Sequence, residues 1–209
     1  MKTALNHPIV EQSFAIIDGE VGSHQLNPAE YAIARRVIHA TADFEYLQLL
    51  RFSPDAIDSG ITAIKSGVPI ITDVTMVKQG IRSLVAKTFN NPIIAAIDLA
   101  PTADPNRTRT ETGLLKCCSQ YPEAIYVIGN APTALLALCK QISQAKTRPS
   151  LVIGVPVGFV SVIESKQALA QLNVPQIAIE GRKGGSPAAA SILNALLILA
   201  SDSAMNSKQ

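Results

Sequence analysis

Apolar residues along this chain fall in short dense runs separated by stretches with helical spacing. The runs are "EYLQLLRF", "VPIITDV", "PIIAAID", "AIYVIGN", "SLVIGVP" and "PQIAIEG". Several are apolar on successive rather than alternate positions, the pattern of strands covered on both faces, as in a parallel sheet flanked by helices. Helices are expected over 28–42, 55–66, 109–119, 133–145, 164–171 and 186–200. Strands alternating with helices predict an α/β chain, a three-layer α/β/α sandwich with a mainly parallel sheet and right-handed crossovers.

In such a sheet ligands bind beyond the carboxyl ends of the strands, where loops and helix N-termini converge. Polar and glycine-rich segments follow three of the runs at that end. "VIGNAPTAL" carries Gly129, Asn130 and Pro132; "VIGVPVGFVSVIESK" carries Gly154, Pro156 and Gly158; "IAIEGRKGGS" carries Gly181, Gly184 and Gly185. Neither GxGxxG nor GxxxxGK[ST] occurs, which disfavours a generic nucleotide site. In "EGRKGGSPAAASILNALL" the glycines permit unusual torsions and a close backbone approach, Ser186 can cap the next helix, and Arg182 and Lys183 add positive charge. The segment suits a seat for a carboxylate or phosphate, or a tight strand-to-helix turn with an exposed basic pair.

The helix in "NPAEYAIARRVIHATAD" has a well-marked start. Asn27 is its N-cap, Pro28 its first residue, and Glu30 completes a capping box. Ile33, Val37 and Ile38 give it an inner face. His39 lies near its carboxyl end, where the helix dipole favours an imidazolium; Arg35 one turn earlier opposes that and Asp43 one turn later supports it. An imidazole so placed can exchange a proton with a substrate near neutrality, or serve the fold alone. Ser13 in "SFAII" falls on what could be a short helix and has no GxSxG elbow around it, so its hydroxyl is read as a hydrogen-bonding group. Arg107 and Arg109 in "NRTRTETG" can clamp carboxylates or stand as solvated surface. Asp73 closes "ITDVTMV", but the histidines are scattered at positions 7, 24 and 39, so no metal site in the protein is expected.

Composition narrows the partners. With 47% hydrophobic and 16% charged residues the chain has the makings of a core, and its 209 residues suit one domain, with 202–209 as a flexible tail. Eighteen basic residues against sixteen acidic ones give a net charge of +2, too small for the broad positive field of a nucleic-acid binder. The apolar stretch 188–200 is short and broken by Ser191 and Asn194, and "MKTALNHPIV" is no leader, so a soluble cytoplasmic protein without a membrane span is expected. Cys117, Cys118 and Cys139 have no zinc or redox spacing and read as small buried hydrophobes.

Taken in order, "IVEQSFAII", "RRVIHATAD", "RFSPDAI", "VPIITDVTMVKQGI", "VIGNAPTALLAL", "GVPVGFVSVIESK" and "EGRKGGSPAAASILNAL" resemble the precorrin-8X methylmutase family of cobalamin biosynthesis, with its cobalt-precorrin-8 counterpart. The resemblance spans positions 7 to 199. It implies a flavodoxin-like homodimer with its active site in a cleft at the subunit interface. The implied activity is an isomerase that moves a methyl group from carbon eleven to carbon twelve of ring C of a corrinoid, giving hydrogenobyrinate or cobyrinate. No cofactor is implied, and cobalt enters as part of the substrate. The family's proposed proton donor falls on His39, and Ser13 is expected to line the pocket. Arg109 best matches the family's arginine, with Arg107 as the alternative. Asn130, Gly158, Arg182, Gly184, Gly185 and Ser186 are the candidates for holding the substrate's carboxylate rim, and Val157 and Phe159 for its apolar face. Hand-off to the next pathway enzyme fits such a product, and a non-catalytic protein that binds and delivers a corrinoid intermediate is the alternative from another class.

Overall fold

The computed structural model describes residues 7–206. Two helices lead: α1 (Pro8–Val21) and α2 (Pro28–Thr41). A four-residue turn of helix, α3 (Tyr46–Leu49), runs directly into β1 (Leu50–Phe52). Strands and helices then alternate as α4 (Ala56–Lys65), β2 (Ile70–Thr72), α5 (Thr75–Lys87), β3 (Ile93–Ala95) with a 3₁₀ turn at Ala96–Leu99, α6 (Arg109–Gln120) and β4 (Ile125–Ile128). The chain continues through α7 (Pro132–Ser143), β5 (Leu151–Gly154), α8 (Val162–Ala170), β6 (Gln176–Ile179) and α9 (Ser186–Asn206).

The sheet order is β1-β6-β5-β4-β2-β3, with every neighbouring pair parallel except β1 and β6. Leaving out the antiparallel edge strand β1, the parallel strands follow the flavodoxin-like order, with a topological switch point between β2 and β4. The dense apolar runs have a simple cause. Ile70, Ile125, Val127, Leu151, Ile153, Ile177 and Ile179 point into one core with α2, α4, α5 and α9. Ile71, Tyr126, Ile128 and Val152 point into a second core with α6, α7 and α8. Side chains alternate across a strand, so two apolar layers require apolar residues at every position.

Three expectations change. "EYLQLLRF" is strand only in its last three residues, because Tyr46–Leu49 coil into α3 and send the Tyr46 hydroxyl to the Gly184 carbonyl at 3.3 Å. Positions 202–206, expected in a tail, continue α9, while 207–209 lie outside the described residues. With that extension Ser186–Ala204 reaches the length and apolarity of a membrane span, at mean hydropathy 1.3, but 56% of it is buried inside the protein. Ala188, Ala189, Ile192, Leu193, Leu196 and Leu197 are all fully covered, which marks α9 as a core helix. The three cysteines are buried thiols, as read from the sequence, and burial pushes Cys117 and Cys139 up to about 12.

Candidate functional site at the carboxyl ends of the strands

At the switch point, the loops after β2 and β4 diverge and their amides converge on one anion. That anion belongs to the protein. Asp73, fully buried, accepts from the amides of Asn130 at 2.6 Å and Ala131 at 2.8 Å through one oxygen, and from Val74 at 2.9 Å through the other. Burial raises its pKa, and the amide donors work in the opposite direction. The N-terminus of α7, where this fold commonly receives a ligand anion, is therefore filled from within. The glycine-rich segments singled out in the sequence at 154–158 and 181–186 lie further along the same edge, beside β5 and β6.

There the segment 181–185 is held from every side. Lys166, on α8, is buried and donates to the carbonyls of Gly181 at 2.8 Å and Lys183 at 2.6 Å. Between them, the Arg182 carbonyl accepts from the Gly158 amide at 3.3 Å. The Gly185 amide donates to Val155 at 2.9 Å, and the Gly185 carbonyl receives the Ala189 amide. Gly185 thus stands at the cap of α9, where the sequence suggested Ser186; Ser186 is instead buried in the first turn. The glycine at 184 has a packing cause as well. Its φ is +148°, and a β-carbon there would lie 2.3 Å from the Val155 carbonyl oxygen. On the neighbouring strand end, a β-carbon on Gly129 would come within 3.0 Å of the Ser186 backbone, so the β4 and β6 loops press together.

The same segment reaches the end of α2. The Lys183 ammonium binds Asp43 at 2.6 Å and Glu45 at 2.9 Å. The hydrogen bond from Lys183 holds the Asp43 carboxyl below its usual range, and the two acids hold the lysine above its own. Asn27 caps α2 with bonds of 3.0 Å to the amides of Ala29 and Glu30, and Glu30 returns a bond to the Asn27 amide, so the register that places His39 is fixed at the helix start. His39 is exposed on the last turn and meets the buried Phe14 ring edge-on, at 5.5 Å between centroids. Arg35 covers that ring at 4.3 Å while pairing with Asp18 at 2.8 Å, and Arg36 approaches it at 5.5 Å. One aromatic ring is thus shared by an imidazole and two guanidiniums.

Of the residues expected from the sequence, Asn130, Gly158, Arg182, Gly184, Gly185 and Ser186 gather on this edge; His39 lies four positions before Asp43, whose bridge to Lys183 ties the chain just after α2 to this edge, and its own ring contact is with Phe14 of α1. Ser13 neighbours Phe14 on α1, with its hydroxyl bonded to the Ile9 carbonyl at 2.9 Å. Arg109 ties the 3₁₀ turn, donating to Ala100 at 2.9 Å and Ile97 at 3.4 Å, whereas Arg107 pairs with Asp104 and Glu111. A Thr108–Thr133 hydroxyl contact of 3.0 Å joins their loop to α7. Lys166 and Asp73 went unassigned in the sequence reading. Lys166 carried a signal: with Val162 and Leu169 it falls on the inner stripe of α8, an unusual place for a lysine.

Val157, Phe159 and Val160 stand exposed on the same rim, Phe159 to 86%. A cavity of about 670 Å³ lies behind the segment, between α8, β6 and β1, and none of the expected site residues lines it. Its polar lining is mostly committed elsewhere: Arg51 to Glu180 at 2.6 Å, Gln176 to the carbonyls of Leu169 and Leu172, and Lys166 as above.

Comparison with known proteins bears on what this rim receives. The family model described as Precorrin-8X methylmutase matches residues 8–199. A cobalt-precorrin-8 methylmutase of Synechocystis is 60% identical over 210 residues, covering 94% of this chain and 97% of that protein. One from Leptospira interrogans is 44% identical over 211 residues, covering 95% and 96%. A crystal structure of precorrin-8X methylmutase from Thermus thermophilus superposes with a TM-score of 0.86 at 43% identity, covering 94% of this chain and 99% of its own.

Proposed function

Since this chain belongs to the precorrin-8X methylmutase family, we propose that His39 lends a proton to a corrinoid held on the rim described above, easing the migration of a methyl group within ring C. The chain is a methylmutase, an isomerase of corrin biosynthesis that moves a methyl group from carbon eleven to carbon twelve. The reaction conserves mass: the migrating methyl is already on the substrate, so no methyl donor or other cofactor is required. Support for cobalt-precorrin-8 as the natural substrate, and cobyrinate as product, comes from the names of the two relatives given above. Those relatives are named for catalysis, which favours the enzyme over the non-catalytic carrier.

The observation that carries the reading is the Lys183 bridge. It joins the turn just after α2, whose last turn carries the candidate proton donor, to the 181–186 segment, with the candidate carboxylate seat. A corrinoid has a broad apolar face and a fringe of acetate and propionate groups. Arg182 and the neighbouring backbone suit the fringe, and Val157 and Phe159 suit the face. Asn130 follows β4 on the same sheet edge, while Ser13 on α1 and Arg109 at the start of α6 are candidates through the family resemblance alone. Fixing a large ring against one imidazole lowers the barrier by orientation, and the proton offsets charge as it develops.

A homodimer fits an active site built on an open rim. One copy offers a ledge with exposed Phe159 and Val160, and a facing copy turns the ledge into a cleft. The buried α9 suits a cytoplasmic enzyme, and a protected product suits transfer to the next enzyme of the route. The test is conversion of cobalt-precorrin-8 and precorrin-8X side by side without a methyl donor. A changed absorption spectrum at constant mass is expected, faster with the cobalt form. Binding without conversion of either would return the carrier reading.

A further inference from the structure

A loop that receives carboxylates must keep its carbonyl oxygens out of their way, because a carbonyl dipole repels the same charge that an amide attracts. In the segment 181–184 all four carbonyls have partners from outside the segment. Gly181 and Lys183 are bonded by the Lys166 ammonium, Arg182 by the Gly158 amide, and Gly184 by the Tyr46 hydroxyl. Lys166 accounts for two of the four, at the shortest distances, and spans both sides of Arg182.

A lysine is a costly means of satisfying two carbonyls. Lys166 is 6% exposed and, among the described residues, has no carboxylate among its hydrogen-bond partners, and burial draws it down to about 8. Arg51, Glu180, Lys183 with Asp43 and Glu45, and Arg182 are the charged groups around the segment, and the two acids nearest Lys183 are already bound to it. The ammonium is thus left to the backbone. An apolar residue would fill the α8 stripe equally well, so its place there points to the segment it holds.

We propose that Lys166 is a positioning residue for the substrate's carboxylate fringe: by turning the Gly181 and Lys183 carbonyls inward, it sets the backbone that carries Arg182 and Gly184 in the one conformation able to accept an anion. The inference rests on the reading of Arg182 as a carboxylate contact. Lys166 does not touch the reacting carbons, so its removal acts on binding.

The experiment compares Lys166→Met, Lys166→Gln and Arg182→Ala, measuring KM and kcat for cobalt-precorrin-8 and the affinity for the stable product cobyrinate. Arg182→Ala is expected to weaken product binding. Lys166→Met should raise KM and the product Kd by about tenfold or more, with kcat within about threefold of the parent. Lys166→Gln, which retains amide donors, should recover part of the loss. If Arg182→Ala weakens binding and a folded Lys166→Met does not, the role given to Lys166 is wrong while the seat stands. If Arg182→Ala binds as the parent does, the seat itself is wrong, whatever Lys166 does. A fall in kcat at constant KM would place Lys166 in the chemistry, and failure of both Lys166 variants to fold would make it a fold residue; either overturns the proposal.

Discussion

At the scale of single residues, the proposed chemistry rests on His39 and its support on neighbours assigned no contact with the substrate. His39→Ala should lower turnover by about 10²- to 10⁴-fold, the usual weight of a general acid or base, while product affinity and the unfolding midpoint stay close to the parent's. Single-turnover spectra read the first, and titration with cobyrinate the second; parental turnover would remove His39 from the mechanism. Glycines offer a sharper contrast between similar-looking substitutions. Gly184→Ala places a β-carbon 2.3 Å from a backbone oxygen at a φ of +148° and should cost at least about 2 kcal/mol. Gly19→Ala, on α1 with nothing within 4 Å, should stabilise by about 0.5–1 kcal/mol. Denaturant unfolding distinguishes them, and equal effects would refute the packing account of "KGGS". His39 and Gly184 were both visible in the sequence, but the cause of the glycine was not, because a close approach to the protein's own backbone and one to a ligand leave the same residue.

Elements were legible where local chemistry marks them. Asn27, Pro28 and Glu30 fix the start of α2 as read, since a capping box is a contact among near neighbours. α5 gave no such sign: Val74 precedes it without a side-chain cap, and Gly80 with several β-branched residues lowers its intrinsic preference. α1, capped by His7 in place of a commoner capping residue, was visible only as a possible short helix around Ser13. The bridge from α2 to the 181–186 segment was invisible for a different reason, since Asp43 and Lys183 are 140 positions apart. Its pH dependence can be predicted. Lys183 lowers the folded Asp43 pKa, so the bridge contributes above the ordinary value near 3.8 and fades as pH falls through the lower folded value. Unfolding midpoints of the parent and Asp43→Asn should therefore differ by a steady gap from about pH 4.5 upward and converge in stronger acid. A gap independent of pH would mean that the carboxylate's charge contributes nothing there.

For the whole molecule, the strand runs and their order of appearance predicted the three layers, because apolar residues at every strand position can arise only when both faces are covered. Strand order was beyond reach of those patterns, and with it the location of the switch point. That point explains why the candidate site sits beside β5 and β6. In this topology the amides between β2 and β4 normally await a ligand anion; here Asp73 meets the amides of Asn130 and Ala131 itself. The carboxylate knits two diverging loops, so the seat proposed for the macrocycle is the wider edge beside β5 and β6. Asp73→Ala should leave those donors without a buried acceptor, at a cost of about 1–3 kcal/mol. It should also vacate a space that matches formate, the missing carboxylate in free form. Formate at tens of millimolar is then expected to raise the variant's melting temperature more than the parent's, because a ligand that binds the folded state alone stabilises it by mass action. An equal response in both proteins would show that the nest closes up once Asp73 is gone, and that the amides are held in place by the anion between them rather than by the strands.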